Sequence, residues 1–105
     1  MEIIKMDKID ERTNKRGITV KKILKNDDVQ VMNLVLEPGD VVQEHSVPVH
    51  VFFYIVEGRG TLQIGDEKSV AEAKDIIPCP RNVTMSLKAN KGEKFIVLNV
   101  KTPSL

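Results

Sequence analysis

The chain has 105 residues, with 16 Lys and Arg against 15 Asp and Glu, a formal net charge of +1 at pH 7. Hydrophobic residues make up 41% and charged residues 30%, the balance of one ordinary globular domain with a modest core. That near-neutral charge argues against a basic nucleic-acid footprint, and a single cysteine excludes an internal disulfide framework. The longest apolar run, Val51–Val56, is far too short to span a bilayer. The first residues, Met1–Asp7, have no apolar leader segment, so a cytoplasmic protein without membrane or nucleic-acid partners is expected.

The stretch from Ile3 to Arg16 is crowded with charge and reads as an N-terminal arm over residues 1–16, either an edge strand with a loop or a short helical turn. From Gly17 the texture turns to β. Ile18–Leu24 opens on three β-branched residues, suiting a half-buried pleated surface. Asn26-Asp27-Asp28 marks a turn before a strand over Val29–Leu36. Pro38-Gly39 is a turn pair: proline sets φ at the first central position and glycine accepts a positive φ at the second.

Val41–His45 and Val49–Val56 follow as strands, then Gly58-Arg59-Gly60 turns the chain. Thr61–Ile64 alternates cleanly with Leu62 and Ile64 inward, and Gly65-Asp66 makes the next hairpin. Pro78 and Pro80 hold Cys79 in an extended loop. Val83–Leu87 and Phe95–Val100 complete about nine short strands spaced as in an all-β sandwich or barrel, spanning residues 17–100. No segment carries a 3.6-residue period.

Glu37-Pro38-Gly39-Asp40 to His45, then Tyr54-Ile55-Val56-Glu57-Gly58, then Asp75–Pro80, resembles the cupin superfamily in order and spacing. The resemblance implies a cupin-like double-stranded β-helix, a jelly-roll barrel, and a homodimer. It also implies a metal site built from His-x-His, a Glu and a third His. Here His45 fills the first ligand slot, but Val47 stands in the second, Val51 in the Glu slot and Met85 in the last His slot. Lys74 and Asn82 occupy positions where that family's second motif carries glycine.

Valine has no lone pair, and a thioether suits Cu(I) rather than hard or borderline ions. The expected interior is therefore apolar, lined by Val47, Val51, Phe53, Ile55, Leu62, Ile64 and Met85, with His45 as its polar group. Either those side chains fill it, or a pocket formed by His45, Val47, Val51, Phe53 and Met85 takes a small apolar ligand with one polar handle. The main reading is a binding or dimer-forming module with no cofactor.

The alternative is a metal-dependent enzyme of dioxygenase or isomerase type. A bulge near Pro48 would turn His50 inward, and His45, His50 and Cys79 would then hold a divalent transition metal, with Glu44 in reserve. A nucleophilic Cys79 would need a neighbouring His or cation to lower its pKa. A sensory domain is a third reading, but with no helix-turn-helix segment it would need a separate partner. The strand around Ile18–Leu24 is an edge that a two-fold partner would cover.

Overall fold

The computed structural model describes residues 1–105, and the β-branched and alternating segments become ten strands. In chain order these are β1 (Arg12–Thr13), β2 (Thr19–Lys25), β3 (Gln30–Leu36), β4 (Val41–His45) and β5 (His50–Glu57), followed by β6 (Arg59–Ile64), β7 (Glu67–Glu72), β8 (Ile76–Cys79), β9 (Met85–Ala89) and β10 (Phe95–Thr102). The arm contributes both a 3-10 turn at Met6–Lys8 and the two-residue β1. No helix is long and apolar enough to cross a membrane.

The strands form a six-stranded sheet in the order β1-β2-β3-β10-β5-β8 and a four-stranded sheet in the order β4-β9-β6-β7. All pairings are antiparallel. From β3 to β10 the chain passes repeatedly between the sheets, an order consistent with a jelly roll. The hydrogen-bonded ladder does not close into a barrel: β1, β8, β4 and β7 remain edges. β2 is shielded only at Thr19–Val20, where β1 pairs with it. The rest of that edge carries Lys21, Lys22 and Lys25, charges that discourage edge-to-edge pairing.

Period-two alternation sends one row from each strand inward. Val51, Phe53 and Ile55 of β5 meet Phe95 and Val97 of β10 and Met85, Leu87 and Ala89 of β9 in one buried cluster. On the other face of the large sheet, Asn33 lies opposite Lys21, whose Nζ donates to Met6 O at 3.1 Å, so the N-terminal turn sits over this part of the sheet. Asn33 is buried there and satisfied by donating Nδ2–H to Val97 O at 3.1 Å.

Turn chemistry fixes the connections. Gly39 has φ +85°, and the turn is closed by Asp40 N–H donating to Glu37 O and by Glu37 N–H donating to an Asp40 carboxylate oxygen, both at 2.9 Å. Lys74 and Asn82 have φ of 77° and 61°, the left-handed region. The backbone geometry that glycine favours is thus kept at both positions by residues with a Cβ.

Candidate functional site

His45 ends β4, and its orientation comes from a bulge. Val42 pairs with Leu87 and His45 with Met85, so three steps along β4 match two along β9. The extra residue reverses the alternation, and both Val42 and His45 face the space between the sheets. The irregularity therefore lies before His45, in β4, and not near Pro48.

His45 Nδ1 lies 3.0 Å from Gln43 O. A carbonyl oxygen only accepts, so Nδ1–H is the donor in this contact, and Nε2 is the ring nitrogen left without a partner in the protein.

The imidazole borders a cavity of about 180 Å³ at one end of the core. Val42 and Leu87 continue its wall on the small sheet, and Ile18, Val20, Met32 and Leu34 form its apolar floor on the large one. Polar groups ring it: Asn14 and Arg16 from the β1–β2 loop, Gln30 from β3, and Asn99 and Lys101 from β10. The loop is held by Asn14, whose Oδ1 accepts from Arg16 N–H at 2.9 Å and Ile18 N–H at 3.0 Å, an Asx turn that presents Arg16 at the mouth.

Asn99 is 6% exposed, and its Oδ1 has no hydrogen-bond partner. Burial, followed by the Arg16 charge, lowers the pKa of Lys101 from the ordinary lysine value. The two ion pairs of the molecule, Arg59–Glu72 and Lys94–Glu37, leave Arg16 and Lys101 without a carboxylate partner.

Of the residues expected to line the pocket, only His45 does so. Val51, Phe53 and Met85 are close-packed in the core, and Val47 packs against it from a half-buried position. The three N and S donors do not gather. The β5–β8 register runs unbroken from Val51↔Cys79 to Tyr54↔Ile76, which puts Val51 and Cys79 on the core side and His50, one step away, on the exposed outer side. Nowhere do three His, Cys, Asp or Glu side chains come together as a metal site.

Cys79 Sγ lies 3.6 Å from Val83 O and 3.7 Å from Pro80 O, a weak donor in a dry setting. Burial pushes its pKa up, opposite to what a nucleophile or thiolate ligand requires. The donor set around His45 thus does not fit the tight metal site that the spacing of the motif implies: its cross-strand neighbour is a thioether, and the other two slots are hydrocarbon.

The polar half of the cavity went unread in the sequence. Its signal is the alternation of β10, where Phe95 and Val97 point inward and Asn99 and Lys101 continue the same row. Polar residues at core-facing parity are the mark of a lined cavity rather than a filled one.

The sequence profile of the Cupin domain family matches residues 32–101. No curated protein matches the chain by sequence. Among solved structures, KdgF from Halomonas sp. is 17% identical and superposes with a TM-score of 0.91, over 100% of this chain and 96% of that one. An RmlC-like cupin from Shewanella frigidimarina NCIMB 400 is 15% identical with a TM-score of 0.87, over 99% and 93%. A predicted oxalate decarboxylase from Thermotoga maritima is 17% identical with a TM-score of 0.86, over 98% and 100%. At such identities these likenesses speak for the fold alone, but the profile covers most of the strands, including His45 and the cavity wall it shares with β3, β9 and β10: the chain belongs to the cupin family.

Proposed function

We propose that the chain is a small-molecule-binding cupin domain, a double-stranded β-helix that takes its ligand in the His45 cavity without a tightly held metal ion. The observation that carries this reading is the cross-strand pairing of His45 with Met85. One imidazole beside a thioether, with Val47 and Val51 in the remaining slots, competes poorly with water for a divalent ion. A cavity of about 180 Å³ lies below the roughly 300–1,000 Å³ of drug-sized pockets, which suits a metabolite-sized ligand.

The test is elemental analysis of protein purified without chelator or nickel resin, together with thermal-shift screening of small polar compounds. Substoichiometric metal and a ligand-raised Tm are expected. Stoichiometric metal that disappears in a folded His45→Ala variant would overturn the reading in favour of a metal-dependent enzyme of dioxygenase or isomerase type.

A homodimer is part of the same proposal. The lysines along β2 make that edge a poor seam, but across β10, β5 and β8 the outer face of the large sheet is apolar. Val31, Val100, Phe52 and Pro78 form one cross-strand row, and Leu98, Tyr54 and Ile76 form the next. Phe52 and Ile76 are 39% and 62% exposed, and a second copy laid over these rows would cover them. Sedimentation equilibrium should give twice the chain mass, reduced to one in Phe52→Glu. A monomer at all concentrations refutes the pairing.

A further inference from the structure

We propose that the ligand of this cavity is a small hydroxycarboxylate, its carboxylate held by Arg16 and Lys101 and its hydroxyl by Asn99. The inference rests on the small-molecule-binding reading and gives it a chemical class. Three independent observations converge on it.

First, two cations face one space with no counter-ion. Lys101 is half-buried on β10, and Arg16 stands at the mouth on a loop stiffened by Asn14. Holding two like charges at a partly desolvated site is costly, and a bound carboxylate offsets it by accepting from both. The depressed pKa of Lys101 has the same origin.

Second, Asn99 Oδ1 is buried at the cavity without a donor. An orphaned acceptor of this kind calls for an O–H or N–H from whatever fills the space. His45 Nε2, the ring nitrogen not engaged by Gln43 O, lies on the opposite sheet as a further polar group at the cavity, half-buried rather than orphaned. A ligand that brings only a carboxylate satisfies the cations and leaves Asn99 Oδ1 orphaned; one that also carries a hydroxyl donates its single O–H to that oxygen.

Third, the remaining surface is hydrocarbon, from Ile18, Val20, Met32, Leu34 and Leu87. With the volume available, this admits a short aliphatic body. Binding needs no metal, because the charge that a metal would supply to a carboxylate is already present as guanidinium and ammonium.

The experiment is an NMR titration of the 15N-labelled chain at matched ionic strength in chloride, with 2-hydroxybutyrate, butyrate and 2-hydroxybutyramide as probes. The Asn99 side-chain amide and the His45 ring are the reporters. The hydroxy acid should bind tightest, with butyrate about fivefold weaker for the lost hydroxyl and the amide about tenfold weaker for the lost charge. Lys101→Met should weaken 2-hydroxybutyrate about tenfold and the amide by clearly less, because its carbonyl accepts but carries no charge. Arg16→Gln, on the surface loop and without consequence for the core, should do the same if the β10 variant does not fold. Equal affinity for the acid and the amide, or no loss in either variant, overturns the carboxylate assignment while small-molecule binding stands. A cavity silent to all three probes overturns the hydroxycarboxylate assignment, and the thermal-shift screen then decides the small-molecule reading by itself.

Discussion

Replacing Met85 and Val47 with histidine tests the geometry on which the functional reading depends. Met85 lies directly across the ladder from His45, where cross-strand Cβ atoms are about 4.5–5.5 Å apart, close enough for two imidazoles to share one ion. Val47 lies two residues beyond His45, half-buried against the core. The metal-free double variant pays for this. Met85 is fully buried, so its loss, together with an imidazole N–H left without a partner, costs about 3 kcal/mol. At about 4–8 °C per kcal/mol for a domain of this size, Tm falls by about 12–24 °C. Three imidazoles with one open position match a zinc site, and zinc at 100 times Kd returns about 2.7 kcal/mol. Scanning calorimetry with and without zinc should therefore show most of the loss recovered in the variant, no zinc effect in the parent, and none in the variant once His45 is also Ala. Acidification below about pH 6 should abolish the rescue as the imidazoles protonate. A folded double variant whose Tm ignores zinc would mean that the three side chains do not converge.

Three further outcomes follow from local structure. A Cβ at Gly60 would stand 2.4 Å from two ring carbons of the fully buried Phe95 and 2.7 Å from Lys88 O, so Gly60→Ala should destabilise the fold by about 3 kcal/mol in urea unfolding; a change under about 1 kcal/mol would contradict the close approach of β6 to that ring. Lys74→Gly relieves a left-handed lysine, a gain of about 1–2 kcal/mol, less about 0.7 for the added freedom of the unfolded chain, and should raise Tm by about 1–10 °C; Asn82→Gly should leave it nearly unchanged, because asparagine tolerates that conformation. For Cys79, burial raises the folded pKa, so the fold retains a proton that the unfolded chain releases above about pH 8.5. Its contribution is whole below that pH and is lost as pH rises through the folded value. Lys101, with its pKa lowered, acts in the opposite direction over the alkaline range, so the readout is the stability gap between the parent and Cys79→Ala, which should narrow above about pH 8.5. A gap independent of pH would place the thiol in contact with water.

Local chemistry wrote much of this protein into its sequence. Period-two alternation identified the strands and put Leu62 inward, and Pro38-Gly39 located a turn that the structure closes with Asp40. The spacing from Gly39 through His45 to Gly58 pointed to the cupin family because a turn, a strand and the next turn must follow at fixed distances for two sheets to face each other. The positive φ at Lys74 and Asn82 is the geometry glycine meets at least cost, adopted here by residues that carry a Cβ.

Tertiary structure decided the site. The bulge in β4 comes from its pairing with β9 and has no signature of its own in Val42–His45, yet it sets which way the imidazole faces. The unbroken β5–β8 register keeps His50 outside, a choice made by the partner strand. Whether the apolar interior was filled or open depended on how far two twisted sheets approach each other, and the answer differs along their length: close-packed around Phe53 and Met85, open beside His45. Arg16, Asn99 and Lys101 meet there across most of the chain's length, because sheet pairing, not sequence proximity, brings β10 beside β3 and the β1–β2 loop over the gap.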